Sequence, residues 1–189
     1  MADDEATPSA RKTELLEAAY EYAVRHGLAD LSLRPLAESI GSSHRVLLYL
    51  FDSKDGLIRA ILARARAAQR SLVDQASGDD GLVVTAERLW EWLAAPEHRP
   101  LMTLWAEGYS RSLIGDDGPW AGFARATVDD WLTVLAQAQP ARRRRTAAAL
   151  AERTLLLAVL RGALLDLLAT GDVARTSTAV RLHLRSLAS

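Results

Sequence analysis

Apolar residues recur along this chain mostly at intervals of three and four, and no stretch shows the two-residue alternation of a strand. The pattern predicts an all-α protein. A first helix over about residues 10–26 carries Leu15, Ala19, Tyr22 and His26 on one stripe, and Gly27 supplies the left-handed turn that ends it. Ser32 caps a short second helix ending at Ile40, with Pro35 in the first turn, where a missing N–H removes no intrahelical bond. Gly41 stops it. Ser42 or Ser43 caps a third helix, His44–Phe51, and Ser53 opens a long fourth with Asp55 in its first turn and Leu57, Ile61, Ala65, Ala68 and Leu72 as its apolar stripe. Further helices are predicted over about 82–95, 97–114, 120–139, 141–170 and 173–187, separated by Pro96, the Gly115 to Pro119 stretch, Pro140 and Gly171-Asp172. Residues 1–9 are polar and acidic and read as a mobile leader. Function divides near residue 60, giving an N-terminal domain over 10–59 and a C-terminal helical domain over 60–189.

Composition narrows the function classes. The 189 residues contain no cysteine, so disulfides and thiolate metal sites are excluded, and no metal or cofactor is expected. With 23 basic and 24 acidic residues, the net charge of −1 argues against coating nucleic acid or membranes by bulk electrostatics. The most apolar stretch, residues 154–169, carries Arg161 and Asp166 and is too short to span a bilayer. The acidic start lacks the charge pattern of a secretory signal, which points to the cytoplasm. Four scattered histidines, without H-E-x-x-H, G-x-S-x-G or a phosphate-cradling glycine loop, assemble no catalytic constellation, so no enzyme is expected.

One segment departs from the overall charge balance. Residues 31–70 hold seven basic and three acidic side chains, a local excess of +4. They begin with two short helices joined by a glycine turn, the pattern of a helix-turn-helix whose second helix enters the DNA major groove. Helical hairpins of this kind also occur in proteins that never meet DNA. The run L-S-L-R-P-L-A-E-S-I-G-S-S-H-R-V-L-L-Y-L-F-D-S-K-D-G-L, residues 31–57, resembles the N-terminal DNA-binding region of TetR-family transcriptional regulators. The elements carrying the resemblance, in order, are Ser32, Ala37, Gly41, Leu47, Phe51, Ser53 and Lys54. The match departs from the family pattern at three places. Ser42 stands where a branched apolar residue usually packs under the turn, the tyrosine is displaced from position 48 to Tyr49, and Leu50 replaces a frequent histidine.

Chemistry assigns roles within this run. Arg45 can pair bidentately with guanine O6 and N7, and His44 can reach a base edge or a phosphate. Ser32, Arg34, Ser43, Tyr49 and Lys54 are phosphate candidates, with Ser32 and Ser43 also expected as helix caps. Val46 is expected mainly in the contact between helices. Each of these polar residues could equally be a solvated side chain at a helix start.

The rest of the chain resembles the family only in helical character, which implies a domain for effector binding and dimerisation. Its five tryptophans lie between residues 90 and 131. Trp92, Trp105, Tyr109, Phe123 and Trp131 are candidates to line a pocket for a small, mostly apolar effector, although tryptophans at helical spacing usually build core. Trp90 and Trp92 cannot face the same way. His98, Glu107, Arg111 and Asp129 are polar residues that could orient such a ligand, although simple exposure explains each at least as well. The last two helices are apolar on more than one side, so Leu157, Gly162, Leu164, Leu168, Val180, Leu184 and Leu187 are candidates for a two-fold dimer interface. Such a homodimer would present two reading helices to palindromic double-stranded DNA. The Arg142 to Arg145 run reads as a solvated helix start whose charge needs an acidic neighbour or an anion. The resemblance therefore implies a ligand-responsive regulator, by family habit a repressor. A helical adaptor without specific DNA binding, or a helical enzyme, is the competing reading.

Overall fold

A computed structural model describes residues 8–76, 81–115 and 117–188 of the chain. Among these residues every regular element is helical: α1 (Pro8–His26), α2 (Leu33–Ser39), α3 (His44–Phe51), α4 (Lys54–Ala76), α5 (Gly81–Ala94), α6 (Arg99–Ile114), α7 (Phe123–Gln137), α8 (Ala147–Thr170) and α9 (Val173–Ala188). Short 3-10 turns at Pro96–His98 and Gly118–Trp120 precede α6 and α7. The expected leader lies outside the described residues except at its end, where Pro8 opens α1 in the position that tolerates a missing N–H. The polar residues 77–80 also lie outside them.

The chain forms two compact units, Met1–Ala67 with Thr103–Ala124, and Ala68–Met102 with Arg125–Ser189. In the first unit α1, α2 and α3 pack on one another. The buried stripe of α1 is Leu15, Ala19 and Ala23. Tyr22 and His26 instead stack on its shoulder, rings 4.1 Å apart, because the helical period carries them past the core-facing arc. Leu28, Leu31, Leu36, Leu47, Phe51, Leu57, Ile61 and Leu62 complete this small core. Arg64 of α4 donates to Glu17 of α1 at 2.6 Å and lies over the Tyr20 ring, tying the two helices at the core's edge.

In the second unit α5, α8 and α9 pack together around Leu89, Trp90, Leu156, Leu160, Leu164, Val180 and Leu184. Trp90 points inward and its Nε1 donates to Ser177 Oγ at 3.0 Å, satisfying both buried polar atoms. Trp92 faces the other way, stacked 4.1 Å from the His98 ring, whose Nδ1 bonds the Trp92 carbonyl.

The largest departure from the sequence pattern is the arginine run. Residues 141–146 are not the start of α8. Arg143 and Arg144 amides return to the Pro140 carbonyl, and Thr146 then caps α8 by accepting from the Ala149 amide at 3.1 Å. The Arg144 guanidinium donates to the carbonyls of Gln137 and Gln139, at the C-terminal end of α7. There the helix dipole favours a cation, so carbonyls take the part expected of an acidic neighbour. Buried Gln139 links the same turn to α8 through the Ala149 carbonyl, Glu152 and Arg153.

Candidate nucleic-acid interface

The segment from Leu28 to Leu57 folds as sequence chemistry dictates, with one cap missing. Ser43 has extended N-cap geometry and its Oγ accepts the Val46 amide at 3.3 Å. Ser53 Oγ accepts the Gly56 amide at 2.9 Å, opening α4. Ser32 holds the same N-cap backbone geometry for α2 but makes no capping bond with its side chain, which is exposed. Its hydroxyl is therefore not committed to the helix. Ser42 Oγ is buried without a hydrogen-bond partner, a cost of placing a hydroxyl where the turn packs.

A close approach fixes how α3 meets α4. A Cβ at Gly56 would collide with the Phe51 carbonyl, so only glycine lets the first turn of α4 sit against the end of α3. Leu47 and Phe51 anchor α3 in the core, and the opposite face of the helix is presented outward. Arg45 is exposed, Tyr49 is 78% exposed, and Val46 and Leu48 are each 38% exposed. Val46 therefore lies on the outward side of α3 and not in the helix contact, because Leu47 and Phe51 set the inward arc.

Four of the seven residues expected at DNA meet around one open groove of about 630 Å³: Ser32 and Arg34 from the start of α2, His44 from the start of α3 and Lys54 from the start of α4. The turn from Ala29 to Leu31 forms one of its walls. Three helix N-termini thus converge with two full positive charges, an arrangement suited to anionic oxygens. Asp30 is the acidic exception on the lining. Ser43, Arg45 and Tyr49 lie outside this groove on or beside α3, and Ser43 is engaged in capping. Sequence reasoning missed Lys12, whose ammonium lies 5.3 Å from the centre of the Phe51 ring and adds a further cation near the end of α3. Its only signal was its character as one of two lysines in the chain.

The remaining candidates divide between the units. Trp105, Tyr109 and Phe123 belong to the first, where Trp105 and Phe123 are buried and Tyr109 is half-buried, its ring 5.1 Å from that of Trp105. Trp92 and Trp131 belong to the second, Trp131 buried and Trp92 half-buried. Of the dimer candidates, Leu157, Leu164, Val180 and Leu184 are buried within the second unit, Leu168 and Leu187 are half-buried, and Gly162 is exposed. The outward face of α8 instead reads Ala151, Leu155, Ala158, Gly162, Leu165 and Ala169 at helical spacing. Leu182 of α9 is also exposed. Among the described residues no cluster of three or more histidine, aspartate or glutamate side chains could hold a metal ion, and no helix is long and apolar enough to cross a membrane.

Residues 15–61, which include this whole constellation from Ser32 to Lys54, match the model of the bacterial regulatory proteins, tetR family. No curated protein matches the sequence. Solved structures share the fold. A TetR transcription regulator from Haloarcula marismortui has a TM-score of 0.74 at 20% identity, covering 92% of this chain and 94% of its own. GusR of Salmonella enterica gives 0.72 at 19% identity, with 98% of each chain covered. The multidrug binding protein EbrR, complexed with proflavin, gives 0.69 at 24% identity, covering 93% of this chain and 98% of its own.

Proposed function

We propose, from the match of residues 15–61 to the model of the bacterial regulatory proteins, tetR family, that the chain is a ligand-responsive transcriptional repressor that binds a palindromic operator as a homodimer. The observation that carries this reading is the outward face of α3 beside the cationic groove. On it Arg45 reads a guanine, with Val46 available to a thymine methyl. Ser32, Arg34, Ser43, His44, Tyr49 and Lys54 hold phosphates and so set register. Reading is assigned to residues 10–59, and effector binding and dimerisation to 60–189.

Dimerisation is assigned to the outward face of α8, with Leu155 and Leu165 flanking Gly162, together with Leu182 of α9. This face is apolar and contiguous at helical spacing, and a second copy related by a two-fold axis would cover it with itself. Leu157, Leu164, Val180 and Leu184 support the interface from beneath by packing α8 on α9. The released state follows binding of a small, mostly apolar effector. Trp105, Tyr109 and Phe123, aromatic side chains grouped in one unit, are the ones such a molecule would stack on. A protein of the same fold, EbrR, is a multidrug binding protein seen with proflavin.

The test is selection of genomic fragments by purified protein, repeated as salt is raised. Recovery of a palindrome whose affinity falls steeply with salt is the expected result. Diffuse binding by protein shown free of bound effector would refute the reading and favour an adaptor.

A further inference from the structure

Helix α1 ends at Gly27, whose amide makes the last helical bond, to the Ala23 carbonyl. Its φ of +78° turns the chain away, so the next amide, that of Leu28, is left without a helical acceptor. Leu28 is 1% exposed and water is not at hand. A buried N–H in this position needs a partner. Glu107 of α6 provides it, its Oε2 accepting the Leu28 amide at 2.9 Å across 79 residues of sequence. Arg111 and Gly27, which has no side chain to crowd it, flank the Glu107 carboxylate. Arg111 Nε lies 3.6 Å from Oε1, and a Cβ at Gly27 would stand 3.2 Å from Oε2. The backbone of α6 is held at the adjacent residue as well, where a Cβ on Gly108 would press into Leu62 of α4 and Phe123.

What Leu28 begins is the turn that walls the cationic groove. The Leu31 amide closes this turn on the Leu28 carbonyl, and Ser32 and Arg34 follow directly. The opposite side of the groove, His44 and Lys54, hangs on α3 and α4. The distance between the two sides therefore depends on where the Leu28 amide is fastened. We propose that Glu107 is a positioning residue for DNA contact, its carboxylate setting the Ala29 to Arg34 wall of the groove against the His44 and Lys54 side. This role rests on the DNA-binding reading.

The test uses the full chain and the palindromic duplex that the wild-type protein selects. Glu107→Leu removes the acceptor and should weaken duplex binding about tenfold or more, while lowering the salt slope by about one phosphate contact. Glu107→Gln keeps a carbonyl that can accept the Leu28 amide and should bind within about threefold of wild type. The discriminating measurement is a double-mutant cycle. Arg34→Ala should cost less affinity in the Glu107→Leu background than in wild type, because the wall that aims Arg34 is already displaced. If Glu107→Leu lowers only the unfolding midpoint, with affinity, salt slope and the Arg34 effect unchanged in folded protein, the positioning role is overturned. Should that variant not fold, Glu107→Asp keeps the charge but withdraws the acceptor, and unchanged affinity and slope there would overturn the role equally. If wild-type protein selects no duplex, the DNA reading fails and this role falls with it, an outcome visible before any variant is made.

Discussion

An alanine in place of a glycine inside a helix ordinarily stabilises it by about 1 kcal/mol. At Gly56 the sign should invert, because the added methyl meets the Phe51 carbonyl, which belongs to the helix just finished and cannot swing aside. Glycine-to-alanine there is expected to destabilise the chain by about 1–3 kcal/mol, the range for overpacking, in urea unfolding. A stabilised variant would show that α4 can shift. Arg45 fails differently when changed, since it is exposed and carries no folding load. Arg45→Ala should leave the unfolding curve in place, weaken the selected duplex by about 1–3 kcal/mol and relax one base position in a repeat selection. Lys54→Ala should instead weaken all duplexes alike and reduce the salt slope by about one. An unchanged base preference in the arginine variant would remove Arg45 from the readers.

Elements were legible where a local chemical signal sets them and illegible where a distant partner does. The extent of α3, His44–Phe51, follows from a capping serine and a core stripe that sequence displays. The start of α8 did not, because residues 141–146 have helix-compatible composition and only the Pro140 turn, the Thr146 cap and the carbonyls of α7 waiting for Arg144 keep them out. Thr146→Ala should therefore cost about 1 kcal/mol in urea unfolding. Much of the candidate interface was readable, since caps and exposed cations sit in one continuous run, whereas the bond from the Leu28 amide to Glu107 was not, because no side-chain pattern reveals a backbone partner 79 residues away. The α8–α9 corner is held by Arg175, whose two terminal nitrogens bond both oxygens of Asp166 at 2.7 and 2.6 Å. Hydrogen bonding to that guanidinium holds the Asp166 carboxyl below its ordinary value, so the stabilisation is complete above the unfolded carboxylate range and is lost as pH falls through the folded value. Melting temperature should thus drop more on acidification from about pH 5 to pH 3 in wild type than in Asp166→Asn. Parallel curves would show that the exposed pair contributes nothing.

For the whole molecule, the exposed apolar face of α8 is where the proposed dimer would form, and the working form would then follow mass action. If that dimer forms, Leu165→Glu should convert it to monomer in sedimentation experiments, and apparent stability of the wild type should rise with protein concentration. The bond from Leu28 to Glu107 also has a meaning in time. Synthesis delivers residues at about 5–20 per second, so the 79 residues separating these partners impose a delay of about 4–16 s between the ribosome making Leu28 and making the carboxylate that fastens its amide. Throughout that interval the Leu28 amide has no acceptor from α6, and the N-terminal segment of the nascent chain is exposed to premature pairing, to proteases and to chaperones.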